Sequence, residues 1–145
     1  MVDRDTVEAR LAAIREYVVE LEHFRQLTFE EFSSGSEYYW AVEHGLQLAA
    51  QAAMDVAVHI LAADFNHRFE NYKEAFEKLG EENVLPRDFA MRFALLAGFR
   101  NILVHDYLKV DLKLVYGFLQ NNLDDLRAFT AYIVEYLRQR DASDE

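Results

Sequence analysis

The stretch SEYYWAVEHGLQLAAQAAMDVAVHI, Ser36 to Ile60, decides the fold. Its apolar residues Val42, Leu46, Ala49, Ala53, Val56 and Ile60 step by four and three, the spacing of one helix face rather than the alternation of a strand. The steps predict a long helix ending near Ala63, and its alanine-rich stripe leaves room for a close helical neighbour.

The same steps recur upstream, where Val7, Leu11, Ile14, Val18, Leu21 and Phe24 predict a first long helix between Arg4 and Leu27. TFEE, Thr28 to Glu31, has the spacing of a capping box and starts a short helix that SSGS breaks. Downstream, NYKEAFEKLG reads as a short helix with Asn71 as N-cap and Gly80 as C-cap. Pro86 suits the first turn of the next helix, because the N–H it lacks would be unpaired there. That helix carries Phe89, Phe93, Leu96 and Arg100 on one side. Asp111 caps a last helix, with Leu112, Val115, Leu119, Leu126, Ile133 and Leu137 facing the core. A single proline and five glycines favour helices over hairpins. The expectation is an all-α, up-and-down bundle of about five helices without internal repeats. It forms one domain over residues 1–140, with a frayed tail at 141–145.

At 145 residues the chain can bury one core and is too short for two ordinary domains. It is 52% hydrophobic and 28% charged, as globular proteins are. No segment approaches the roughly 18 consecutive apolar residues of a membrane span. MVDRDTVEARLAAI has no basic start followed by an apolar run, so no secretory signal is read and a cytoplasmic location is expected. The absence of cysteine removes disulfides, thiolate metal sites and cysteine nucleophiles. The chemistry left is that of His, Tyr, Arg and carboxylate.

A formal net charge of −11 argues against broad affinity for nucleic acid, so any RNA contact must be local. Between Arg87 and Lys113, five basic residues face three acidic ones, a local net of +2 that leaves −13 for the rest. This region holds RNILVHDYLKVD, Arg100 to Asp111. Arg100 and His105 lie five apart, about 140° around an ideal helix, and so diverge. Arg100 and Tyr107, seven apart, share a face. Joint use of Arg100 and His105 requires a helix end near His105 or a second copy across a two-fold axis. In such a cleft a histidine transfers protons and an arginine holds phosphate oxygens. That pairing suits metal-free RNA cleavage by attack of a ribose 2′-hydroxyl on its own phosphodiester. Spacing alone equally fits a surface arginine and a satisfied histidine at a helix end.

RNILVHDYLKVD resembles the signature of the HepT toxins of the HEPN superfamily: arginine, a polar residue, three more, histidine, one residue, tyrosine. The resemblance extends upstream through YKEAFEKLGEENVLPRDFAMRFALLAGFRN and to the spacing of Gln47, Asp55 and His59 in LQLAAQAAMDVAVHI. It continues into VYGFLQNNLDDLRAF and covers residues 4–137. It implies a HEPN-like, dimeric or larger, metal-independent endoribonuclease without cofactor, the toxin of a type VII toxin–antitoxin system. Arg100 would bind phosphate, His105 would act as general acid or base, and Asn101 would assist. It further implies an MntA-type nucleotidyltransferase antitoxin that transfers AMP to Tyr107. An added nucleotide would bring bulk and negative charge within two residues of His105 and repel the RNA phosphate.

Asp55 and His59, four apart, can meet along one face, with Asp55 orienting Arg100 or His105, or the two can form a buried polar pair. SGSEYY, Ser34 to Tyr39, lacks the strand and paired aspartates of a nucleotidyltransferase. The five histidines show no paired metal spacing. Tyr38, Tyr39 and Trp40 either pack against a neighbouring helix or stack bases, and Phe89, Phe93 and Phe99 serve the core or a dimer interface. The alternative function is a non-catalytic helical module that presents nucleotide or substrate to a nucleotidyltransferase.

Overall fold

The computed structural model describes residues 2–105 and 111–144, with side chains for 2–100 and 111–143. The first helix, α1 (Arg4–Glu22), starts where the Asp3 side chain accepts a hydrogen bond from the Thr6 N–H. Its stripe of Val7, Leu11, Ile14, Val18 and Leu21 is buried, and the chain leaves the helix in turns before Leu27. Helix α2 (Phe29–Ser34) opens with the reciprocal capping box of Thr28 and Glu31.

Helix α3 (Ser36–Ile60) runs through the middle of the bundle, packed against α1 and α2. All six residues of its apolar stripe are buried, along with Ala50, Ala52, Met54 and Ala57. Beyond Ile60 the helix widens into a π-turn, Leu61–Phe65, closed by Asn66 in the left-handed conformation. By length and composition Ser36–Phe65 could cross a membrane, but 56% of its most apolar window is buried inside the protein. The apolar character serves a central helix with neighbours on several sides.

Helix α4 (Tyr72–Glu81) starts at Asn71, whose side chain accepts from the Glu74 N–H. Gly80 does not terminate it, and the helix continues to Glu81. The glycine instead permits close packing on α5 (Arg87–Phe93), since a Cβ at Gly80 would sit 2.7 Å from that of Ala90. The single helix expected after Pro86 is two, α5 and α6 (Leu95–His105). At Ala94 the bonding tightens, its carbonyl accepting from the Ala97 N–H three residues on.

The last helix also divides, into α7 (Leu112–Asn121) and α8 (Leu123–Asp144). Asp111 caps α7 as expected, accepting from the Lys113 N–H. Asn122 ends α7 and donates through its side-chain amide to Asp125 in the first turn of α8. Helix α8 runs to Asp144, and near its end Arg140 donates to Asp64 and Asp141 forms an ion pair with Arg4.

Aromatic rings join the helices at the centre. Phe93 stacks on Phe129 at 4.8 Å between ring centres, and Phe76 meets Phe93 edge-on at 5.1 Å. Phe99 of α6 stacks on Phe118 of α7 at 4.6 Å, fixing the helix that carries Arg100. Among the described residues there is no strand, and the architecture is an all-α bundle.

Candidate active site

Helix α6 crosses α3 and places Arg100, half-buried, against the polar flank of α3. Gln51 and Asp55 lie one turn apart on that flank. Arg100 Nη2 donates to Gln51 Oε1 at 2.9 Å, and Gln51 Nε2 donates to Asp55 Oδ1 at 2.9 Å. The other Asp55 oxygen lies 3.6 Å from Arg10 Nε on α1. Three helices thus contribute to one row of alternating donors and acceptors. The Arg100 Nε is buried and finds no acceptor among the described residues. A buried donor without a partner costs about 1–3 kcal/mol, more when it is charged, and a ligand that accepts its hydrogen bond would recover that cost.

The structure joins Asp55 to Arg100 through Gln51 rather than directly. Asp55 and His59 do not form the pair that their spacing allows, for Asp55 turns to Gln51 and Arg10 while His59 Nε2 accepts from the Asp3 N–H at 2.9 Å. His59 thereby ties the start of α1 to α3 and takes a structural role. The backbone of α6 is helical through His105, so the residue positions 100 and 105 stand about 140° apart on one helix. The side chains of Asn101 and His105, and Tyr107 as a whole, lie outside the described residues.

Gln51 was not singled out by sequence reasoning, although a signal was there. Gln47, Gln51 and Asp55 repeat every four residues, a polar row along an otherwise apolar helix. Of the other histidines, His67 pairs with Glu82 at 2.6 Å. No cluster of three or more His, Asp, Glu or Cys that could hold a metal occurs among the described residues. Tyr38 and Tyr39 pack edge-on against Phe24 and Phe32, whereas Trp40 is 65% exposed.

Helices α6 and α7 also bound an apolar groove of about 400 Å³, lined by Phe93, Leu95, Leu96, Phe99, Leu114 and Phe118. Leu95 and Leu114 are 67% and 46% exposed at its rim. A contiguous apolar surface of this kind is a place for a macromolecular contact.

Comparison with known proteins gives this geometry its context. The chain is 31% identical over 131 residues to the tRNA nuclease HepT of Aphanizomenon flos-aquae, covering 90% of this chain and 89% of that protein. It is 29% identical over 84 residues to the mRNA nuclease HepT of Shewanella oneidensis, 58% of this chain and 63% of that one. The fold matches a tri-AMPylated HEPN toxin of Shewanella oneidensis in complex with the MNT antitoxin, with a TM-score of 0.83 and 23% identity, over 91% of this chain and 98% of that one. It also matches the cytosolic protein YutE of Bacillus subtilis, of unknown function, with a TM-score of 0.83 and 20% identity, over 96% and 93% of the two chains. The model of the family described as ribonuclease HepT-like matches residues 14–133, which include Gln51, Asp55, Arg100 and the RNILVHDYLKVD stretch, and the chain belongs to that family.

Proposed function

We propose that the chain is the ribonuclease toxin of a toxin–antitoxin pair, cleaving cytoplasmic RNA without a metal in a cleft shared by two copies. The observation that carries the reading is Arg100, held by a neutral acceptor and with a buried Nε that finds no acceptor among the described residues, in the stretch whose spacing matches HepT. Arg100 binds the scissile phosphate, and Asn101 assists it. His105 takes the proton of the ribose 2′-hydroxyl or delivers one to the leaving 5′-oxygen. The 2′-oxygen bonds to phosphorus, the 5′-oxygen departs with a proton, and a 2′,3′-cyclic phosphate remains. Positions about 140° apart on one helix do not converge on a single phosphate, and this supports pairing Arg100 of one copy with His105 of the other. The apolar groove bounded by α6 and α7 supports the same arrangement, because a second copy would cover Leu95 and Leu114.

The deciding experiment compares the protein with His105→Ala, matched for folding and assembly, on cellular RNA in the presence of a chelator. Cleavage leaving cyclic or 3′-phosphate ends is expected, with a loss of about 10²–10⁴-fold in the variant. Equal or absent cleavage in both returns the chain to the non-catalytic, substrate-presenting module.

Regulation runs through Tyr107, which an MntA-like nucleotidyltransferase adenylylates. The expectation is a mass gain of one or more AMP units on incubation with the partner and ATP, absent from Tyr107→Phe. A variant that still gains AMP would remove Tyr107 from this role.

A further inference from the structure

Gln51 occupies the one position between the Arg100 guanidinium and the Asp55 carboxylate. A guanidinium has only donors and a carboxylate only acceptors, so the amide has one orientation, Oε1 to Arg100 and Nε2 to Asp55. The amide is thus locked from both ends while carrying no charge of its own. A carboxylate in its place would make a charge-assisted pair with Arg100 and offset the positive charge. Among the described residues, the nearby carboxylate of Asp55 is set one amide away and turned toward Arg10 at 3.6 Å.

We propose that Gln51 is the positioning residue of the site: it aims the Arg100 guanidinium through a neutral contact and holds Asp55 at one remove, so that the positive charge remains for an RNA phosphodiester. The inference rests on Arg100 as the phosphate-binding residue. It explains why an acceptor on α3 is an amide in a chain with 26 acidic residues. It also gives Asp55 its part, which is to fix the amide and not to touch the arginine.

The test is steady-state cleavage of a short single-stranded RNA over a series of NaCl concentrations. In Gln51→Glu, KM rises about tenfold or more with a smaller change in kcat, because a ground-state phosphate contact is weakened. The slope of log(kcat/KM) against log salt becomes shallower by roughly 0.7, the contribution of one phosphate contact to a single strand. Gln51→Glu sets two carboxylates one turn apart, so the double variant Gln51→Glu, Asp55→Asn provides the same local charge next to Arg100 without that repulsion. It is expected to show the same shallower slope. Gln51→Met removes the acceptor but adds no charge, and it lowers kcat while keeping the parental slope. A merely structural Gln51 would not separate the salt slopes of Glu and Met. Parental KM and slope in both glutamate variants, with cleavage lost in Arg100→Ala, overturns the role of Gln51. Parental cleavage in Arg100→Ala itself overturns the reading beneath it.

Discussion

Arg100→Ala is expected to lower RNA cleavage about 10²–10³-fold in a protein that still folds, the size of effect seen when one preorganised donor to a developing charge is removed. The structure separates this loss from instability. Arg100 is half-buried, it gives one hydrogen bond to Gln51, and its Nε has no acceptor among the described residues. Truncation therefore removes one polar contact and part of an aliphatic stem, about 1 kcal/mol. The melting temperature stays within about 3 °C of the parent. Arg100→Lys is expected to fall between, since an ammonium keeps the charge but not the planar fork that grips two phosphate oxygens. Salt separates the two variants further. On a surface of net charge −11 the phosphate contacts must be few, so the loss of one guanidinium flattens the salt dependence of kcat/KM visibly, by roughly 0.7 in slope. Lysine restores most of that slope without restoring kcat. Unchanged cleavage in Arg100→Ala would mean that RNA is held elsewhere.

Much of this was legible in the chain, for reasons that differ from residue to residue. The stripes on α1 and α3 were readable because a helix that buries one face must repeat its apolar residues every three or four, and nothing in the tertiary structure overrides that. The caps at Thr28, Asn71 and Asp111 were readable because a short oxygen-bearing side chain must satisfy the free N–H groups of a first turn. The breaks at Ala94 and Asn122 had unequal signals. Asn122 with Asp125 three residues on is a local instruction, whereas the tightening at Ala94 carries neither proline nor glycine and is imposed by packing. Gly80 misled because glycine serves both helix ends and close contacts, and only the position of Ala90 tells which. At the site, Arg100 stood out by motif, but its partner could not. Which of Gln47, Gln51 and Asp55 faces α6 depends on the rotation of α3, set by contacts with α1 on its other side.

The other large effect lies far from the site, where the π-turn at the end of α3 meets α8. Asp64→Ala is expected to destabilise the protein by about 2–3 kcal/mol, a fall of roughly 6–10 °C in melting temperature. The extra residue of the wide turn brings Asp64 to the C-terminal part of α8, where its side chain is only 12% exposed. There Oδ2 accepts from Tyr136 Oη and from Arg140 Nε, the latter at 2.7 Å. Removing the carboxylate takes an acceptor from a half-buried phenol and from Arg140, whose side chain is 21% exposed, and loss of these contacts outweighs the gain from not desolvating one anion. The pH response carries the same signature. Burial, followed by the hydrogen bond to Asp64, pushes the Tyr136 phenol above its ordinary pKa. A folded-state pKa raised above the unfolded value of about 10 gives stability that is complete below that pH and is lost as pH rises beyond it. The parent should therefore unfold more readily above about pH 10, and Tyr136→Phe should flatten that alkaline limb. Because the phenol and the carboxylate share one contact, Asp64→Ala and Tyr136→Phe should be non-additive in a double-mutant cycle. Along the helix Asp64 lies thirteen residues from Gln51, about 20 Å, so cleavage per folded molecule stays at the parental rate. A full loss of stability in Asp64→Ala that is additive with Tyr136→Phe would place the cost in some contact other than this one.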